Sequence, residues 1–441
     1  MQKKKIGVIT FAITLISLGA LLLMRNFTDI NLKATFAIAW PSIIILFGIE
    51  IIVTKIILSK NSEDIKTYID PLSVIMLCII IVIASIYSSF SFNKNLNFFS
   101  IIKSIDFEDF SIGMTNYKDA STYDYTYTIS AEGKDELKLM NSFGDVEIIE
   151  GSGNDIEVAA EIKIKYNDKA YADELSKNIV KIDKGGSSVS IYSDLDSSKY
   201  DKSRAGQINV SYVVRMPDNI KTNIENKFGD TAVKNLKKDV EVDNEHGNIN
   251  VTDIVGSLRL KNSFGNIKAS NIKGTIDIDN QHDNVYVENI EKDVRIKNKF
   301  GNVDAINIGG NLNIENEHAN IDVEDIKGDL YIYGKFGNIN VDSANKFIKI
   351  ISNNGNISVK TRELIEKGVE IENEFGNIDI EVPSNQNGSF NVITEFGEIE
   401  NGLGLSVTEG ITEQSINDFV NNTNIKFYIR SRNGNINLNT N

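Results

Sequence analysis

Cysteine, proline and histidine are all scarce in this chain of 441 residues, which has one Cys, four Pro and three His. A single thiol excludes a disulfide scaffold, a multi-thiolate zinc site and a CxxC redox pair. Three histidines, His246, His282 and His318, leave few candidates for imidazole catalysis. Positive charge is also short: 46 Lys and Arg stand against 61 Asp and Glu, a net charge of −15. Nucleic-acid binding needs clustered Lys and Arg to neutralise phosphates, so that class is excluded. Hydrophobic residues at 41% exclude a wholly disordered chain.

What is present begins with long apolar runs. Ile6 to Met24 follows Lys3, Lys4 and Lys5 and is long enough to cross a hydrocarbon core of roughly 30 Å as a helix. Further runs cover Ala34 to Leu58 and Pro71 to Phe90, so residues 1–92 read as a region of three transmembrane helices, at about 6–24, 34–58 and 71–90. A basic start before an apolar run also suits a signal peptide, but this run exceeds the usual apolar region of one and lacks an A-x-A site. Lys3 to Lys5 precede the first run, and Lys55, Lys60 and Lys66 surround the second loop, against Arg25 and Lys33 with Asp29 in the first. That bias puts the N-terminus in the cytoplasm of a bacterium, and everything after Phe90 outside its plasma membrane. The first partner is therefore the lipid bilayer.

Glu50 is the one acidic residue within these runs and is a candidate functional residue on that ground. The competing reading has it snorkelling to the inner interface beside Lys55. Cys78, among Leu and Ile of the third run, reads as a small apolar packing residue.

Residues 93–135 read as a juxtamembrane stalk, and 136–441 as an extracytoplasmic domain dominated by a repeat. Asn-Lys-Phe-Gly at 226–229, Asn-Ser-Phe-Gly at 262–265, Asn-Lys-Phe-Gly at 298–301 and Gly-Lys-Phe-Gly at 334–337 recur every 36 residues. Midway lie Asn-Glu-His-Gly at 244–247, Asn-Gln-His-Asp at 280–283, Asn-Glu-His-Ala at 316–319 and Ser-Asn-Asn-Gly at 352–355. The unit is thus 18 residues, regular at about 222–360, with looser copies at 141–144, 373–376, 394–397 and 431–434. Leu258, Leu260, Ile267, Ala269 and Ile272 return as Ile276, Ile278, Val285, Val287 and Ile290, the alternation of two short strands per unit. One unit cannot bury a core, so units must stack, giving a parallel β-solenoid.

Charge decides between coils of 18 and 36 residues. Outward residues run Glu241 and Asp243, then Arg259 and Lys261, then Asp277 and Asp279, then Arg295 and Lys297, then Glu315 and Glu317. Stacking every 18 residues sets opposite charges about 4.8 Å apart, whereas stacking every 36 sets like on like. Outside the regular run, 156–165 and 189–192 read as strands, 170–179 as a short helix, and 408–422 as an insertion that caps the far end.

Candidate sites are weighed against that repeat. Phe228, His246, Phe264, His282, Phe300, His318 and Phe336 share one turn position and read as a structural ladder. The histidines lie two coils apart, roughly 9 to 10 Å, too far to share one metal. Asn226, Asn244, Asn262, Asn280, Asn298 and Asn316 form one column, and Asn248, Asn266, Asn284, Asn302, Asn320 and Asn338 another, both suited to bonding from coil to coil. The outer face of the second strand is acidic, with Glu288, Asp304, Asp322, Glu324, Asp342, Asp379 and Glu381 against Lys268 and Lys360. It reads as a solvated face, with Ca²⁺ or a cationic partner as the sharper alternative. No row of aromatics marks a sugar platform. Arg259 and Arg295 are matched by acidic neighbours, and no unit carries a unique polar cluster, so the chain reads as non-enzymatic, with no catalytic, metal or cofactor residues.

Two resemblances add to this. Val-Ser-Tyr-Val-Val-Arg-Met-Pro at 210–217, followed by Asn-Ile-Glu-Asn-Lys-Phe-Gly-Asp and Gly-Asn-Ile turns, resembles a bacterial adhesin-like domain family of unknown function over about residues 130–440, and implies a right-handed β-helix. Lys-Lys-Lys-Ile-Gly-Val-Ile-Thr at 3–10 and Trp-Pro-Ser-Ile-Ile-Ile-Leu-Phe-Gly-Ile-Glu at 40–50 resemble the transmembrane region of LiaI- and LiaF-like envelope proteins, whose typical Trp-Pro and Gly match Trp40, Pro41 and Gly48. That resemblance implies envelope-stress sensing or regulation, often through a sensor kinase. The expectation is a membrane-anchored envelope protein whose solenoid is an interaction scaffold for a wall polymer or partner protein. Its alternatives are a surface adhesin for glycans or neighbouring cells and, more remotely, a polysaccharide-active enzyme.

Overall fold

The computed structural model describes residues 117–441 except 196–198 and 422, and, nearer the N-terminus, 3–6, 10, 11, 13, 14, 17, 43, 44, 46, 47, 49, 50 and 66–69. The chain divides into two compact units, 1–116 and 117–441. In the first, strand Lys3–Ile6 pairs in parallel with strand Lys66–Ile69. Among the described residues no helix is long and apolar enough to cross a membrane. The runs at 6–24, 34–58 and 71–90, Cys78 among them, lie for the most part outside the described residues.

The second unit is built from two long sheets, of 16 and 15 strands. Each regular coil gives one strand to each sheet: Val240–His246 and Ile249–Ile254 are one coil, Leu258–Phe264 and Ile267–Ile272 the next. Pairing is parallel and advances by 18 residues, with Val240 opposite Leu258 and Ile249 opposite Ile267. Inward positions are Val, Ile and Leu stacked on their equivalents, such as Val242, Leu260, Ile278, Ile296 and Ile314, all buried. The β-branched side chains suit a pleated surface packed on one face, and the outward face carries the charges. Arg295 lies opposite both Asp277 and Asn313 and reaches Asp277 at 3.2 Å; Lys261 reaches Asp243 at 2.8 Å. A 36-residue coil is incompatible with this register.

The turn between the two strands favours a residue without a Cβ. Gly247 has φ +129°, and a Cβ there would come within 2.2 Å of the Gly229 carbonyl oxygen one coil before. Asp283 at φ +78° and Ala319 at φ +95° take the equivalent position without that freedom.

Neither end of the stack follows chain order. The coil Glu136–Asn141 and Val146–Glu150 lies between the coil that begins at Lys221 and the strands Ser188–Ser193 and Ala205–Met216. At the far end the last strands, Lys426–Asn433 and Ile436–Thr440, intercalate between Gly368–Val382 and Gly388–Asn401. Charge agrees with that order: Arg432 pairs with Glu374 on one side and Glu395 on the other, and Arg430 with Glu395. A cationic coil between two acidic ones extends the alternation of the regular run.

A cap closes the first end. Asp155–Tyr166 pairs antiparallel with both Ala205–Met216 and Asp119–Ser130, and helix Lys169–Ile179 packs over them. Asp168 caps that helix by accepting the Tyr171 N–H at 3.1 Å. Tyr123 and Tyr125 on Asp119–Ser130 bond Asp173 and Ser176 of the helix. The strand Asp119–Ser130 therefore belongs to the domain, although its residues fall in the stretch read from sequence as stalk. Its inward side is carried by Tyr rather than aliphatics, which hid the strand pattern. At the other end, Gln414–Val420 pairs antiparallel with Gly388–Thr394 within the 408–422 insertion.

Candidate functional site

Three features stand out from the repeat: a row of stacked rings, the amide columns beside it, and Glu50 in the first unit. The rings run Phe143, Phe228, His246, Phe264, His282, Phe300, His318 and Phe336, with centroids 4.6 to 5.1 Å apart and planes within 8° of parallel. Each from Phe228 to Phe336 is the last residue of its strand, and Phe143 lies two residues past its own, so the side chain points out where the chain leaves the sheet and leans on the equivalent ring one coil away. Phe228, Phe264, Phe300 and Phe336 keep 38–48% of their surface exposed. This is an exposed aromatic row; reading each ring as the filler of its own turn hid the continuous surface the rings make together. Stacking leaves their edges to solvent and covers their faces, so a sugar ring cannot lie flat on them.

The alternation outlasts the regular repeat. Beyond Phe336 the stack continues with Asn354, Phe375 and Asn433 in register, and Phe396 donates its N–H to Arg432 O beside Asn433. Chain order would put Phe375 next to Phe396; the intercalated coil sets Asn433 between them.

The amide columns divide into two kinds. Asn226, Asn244, Asn262, Asn280, Asn298 and Asn316 are buried as the third inward residue of their strand. Asn244 Nδ2 donates to Gly247 O of its own turn at 3.0 Å and to Gly229 O of the coil before at 3.3 Å. Their target is thus the turn carbonyls, and among these side chains only Asn280 and Asn298 bond each other, at 3.1 Å. The second column is exposed and works coil to coil: Asn248, Asn266, Asn284, Asn302 and Asn320 each accept the next coil's backbone N–H at 2.8–3.2 Å. A third column escaped sequence reading. Asp253, Asn271, Asn289 and Asn307 have φ of 55–58° and pass a side-chain bond up the stack at 2.8–3.1 Å. Its signal was the Asn or Asp just before the last Ile of each coil, a residue type that tolerates the left-handed region.

Glu50 is buried and engages the first apolar run. Its Oε2 accepts the Thr10 N–H at 2.8 Å and the Thr10 hydroxyl at 2.5 Å, and Thr14 donates its hydroxyl to Thr10 O at 2.8 Å. The carboxylate thus meets a backbone donor from another segment; Lys55 lies outside the described residues.

On the acidic face, Asp304 lies opposite Asp322, and Glu324 opposite Asp342. Burial first, then the Asp322 carboxylate, pushes the Asp304 carboxyl above its usual range. Arg362 relieves the far side, at 2.8 Å from Asp342. Among the described residues no group of three or more His, Cys, Asp or Glu is placed to hold a metal ion. An open groove of about 610 Å³ runs beside the ring row and is lined in part by Tyr192, Glu225, Lys227, His246 and Phe264. Its charges are those of the coil zipper, with no convergent polar cluster of the kind an active site needs.

Residues 9–52, which contain both Thr10 and Glu50, match the family model described as the LiaI-LiaF-like transmembrane region. No curated protein matches the chain. Solved structures with some likeness include a candidate cell adhesion protein from Clostridium sporogenes, 13% identical over 73% of this chain and 100% of that one, with a TM-score of 0.17. A candidate adhesin from Bacteroides fragilis is 10% identical over 73% and 97%, with a TM-score of 0.26. A candidate lipid-binding protein from Parabacteroides distasonis is 12% identical over 72% and 96%, with a TM-score of 0.28. The chain thus joins a LiaI-LiaF-like membrane region to a repeating parallel β-solenoid.

Proposed function

We propose that this is a non-enzymatic, multi-pass protein of the bacterial plasma membrane, with its N-terminus in the cytoplasm and its solenoid outside. In this reading it takes part in sensing or regulating envelope stress, through a membrane partner such as a sensor kinase, while the solenoid serves as scaffold for a wall polymer or partner protein. The observation that carries it is the family match at 9–52 on a chain whose outer unit repeats without a catalytic cluster. Three spans at about 6–24, 34–58 and 71–90 agree with the pairing of Lys3–Ile6 and Lys66–Ile69, because two crossings between those segments return the chain to the same side. Glu50 then holds the first two spans in register through Thr10. Deleting the gene is expected to alter survival under wall-active antibiotics and the output of an envelope-stress reporter; an unchanged response in both would remove the regulatory reading.

A second reading, surface adhesion, gains from the exposed ring row. It predicts that cells displaying the chain bind neighbouring cells or a glycan array more than the deletion strain does, and equal binding would remove it.

A further inference from the structure

The ring row is an apolar ridge flanked on one side by a column of charges: Lys227, Glu245, Ser263, Gln281, Lys299 and Glu317 precede the successive rings. We propose that this ridge is a self-association surface, on which a second copy of the chain docks antiparallel about a twofold axis lying between Phe264 and His282. The inference goes beyond the functional reading above and does not depend on it. It rests on self-complementarity. A twofold axis between two coils reverses the order of the partner, so over the six central rings each Phe meets a His: Phe228 faces His318, His246 faces Phe300, and Phe264 faces His282, with Phe143 facing Phe336 at the ends. The same operation brings Lys227 opposite Glu317 and Glu245 opposite Lys299, and each pair occurs twice by symmetry. Two residues further in, Asp243 falls opposite Lys297 and Lys261 opposite Asp279, with Glu225 and Glu315 meeting like on like at the outer ends.

An axis one coil further, between His282 and Phe300, keeps the Phe–His order but only one opposite pair in the column beside the rings, Glu245 with Lys335, and other axes do no better once like pairs are set against opposite ones. An axis through His282 sets Lys227 against Lys335 and Glu245 against Glu317, like on like. A parallel pair turns the charge column towards the exposed Asn column, where Glu245 and Lys299 find amides and no opposite charge. Stacked sugars are a poor fit because the ring faces are already covered, whereas ring edges and Lys and Glu stems can interdigitate with an identical ridge.

The test uses the full chain in detergent and in lipid nanodiscs, with Cys78→Ala throughout. Sedimentation analysis is expected to show a reversible dimer whose dissociation constant rises about tenfold in Lys299→Glu and returns in Glu245→Lys/Lys299→Glu, with circular dichroism unchanged. Two single-cysteine chains, Lys227→Cys and Glu317→Cys, are then mixed and oxidised with copper phenanthroline. The mixture is expected to cross-link and neither chain alone, because identical positions lie five coils, about 24 Å, apart along an antiparallel pair. A monomer at all concentrations, a dimer indifferent to Lys299→Glu, or a chain that cross-links to itself as well as to the other would each overturn the proposal. The second of these results would place the contact in the membrane region instead.

Discussion

Gly247, Asp283 and Ala319 occupy one turn position under different constraints. At Gly247 an added methyl meets the carbonyl oxygen of the neighbouring coil at 2.2 Å, and that backbone cannot move without breaking the sheet beside it. Gly247→Ala is therefore expected to cost more than about 2 kcal/mol, from backbone strain and the collision together. Ala319→Gly should do the opposite. It relieves a left-handed strain of roughly 1–2 kcal/mol and gives back about half of that through the freer unfolded chain, for a net gain near 0.5–1 kcal/mol in denaturant unfolding. Glu50 poses a different question, since its partners are a backbone N–H and a hydroxyl from another segment. Glu50→Leu leaves both without an acceptor, at about 1–3 kcal/mol, while Glu50→Gln keeps an oxygen in place. The leucine variant should therefore lose heat resistance in detergent while the glutamine variant keeps most of it; equal losses would contradict the contact.

At the scale of the element, the charge zipper and the cap make separate predictions. Arg295→Glu sets like charges beside Asp277 and should cost about 0.2–1 kcal/mol, and Asp277→Arg in the same chain should recover most of it, the coupling fading in salt because both groups are exposed. A double-mutant cycle at low salt reads that coupling, and zero would mean that the coil does not advance by 18 residues. In the cap, burial pushes the Tyr212 phenol up to about 12, only partly offset by its bond to Ser193. Because the folded value lies above the usual one near 10, Tyr212 favours the folded cap below pH 10, and that contribution drains away as pH rises from 10 to 12. The cap should thus open before the regular coils in strong alkali, seen as Tyr ionisation at 295 nm together with early hydrogen exchange in 119–130. Exchange spread evenly over all coils would contradict it. The regular coils were legible because charge, aliphatic alternation and the Phe or His position all repeat at 18 residues. The coil exchange was not, since a strand's own pattern says where its side chains point and not which neighbour it joins. Only the pairing of Arg430 and Arg432 with Glu374 and Glu395, and the return of Phe–Asn–Phe order, resolve it once the two ends are in space. The ladder positions were likewise readable as a column, while their exposure needed the turn geometry.

For the molecule as a whole, residues 9–52 match a LiaI-LiaF-like transmembrane region, and in the proposed topology the solenoid lies outside the membrane. The central claim is topological, and thiol labelling tests it directly. In a Cys78→Ala background, Ile411→Cys presents a fully exposed residue of the outer unit, and Ser62→Cys marks the loop between the second and third runs. Intact protoplasts treated with a membrane-impermeant maleimide should label Ile411→Cys at once and Ser62→Cys only after lysis. Labelling of Ser62→Cys in intact protoplasts with Ile411→Cys protected would place the solenoid in the cytoplasm and contradict the account.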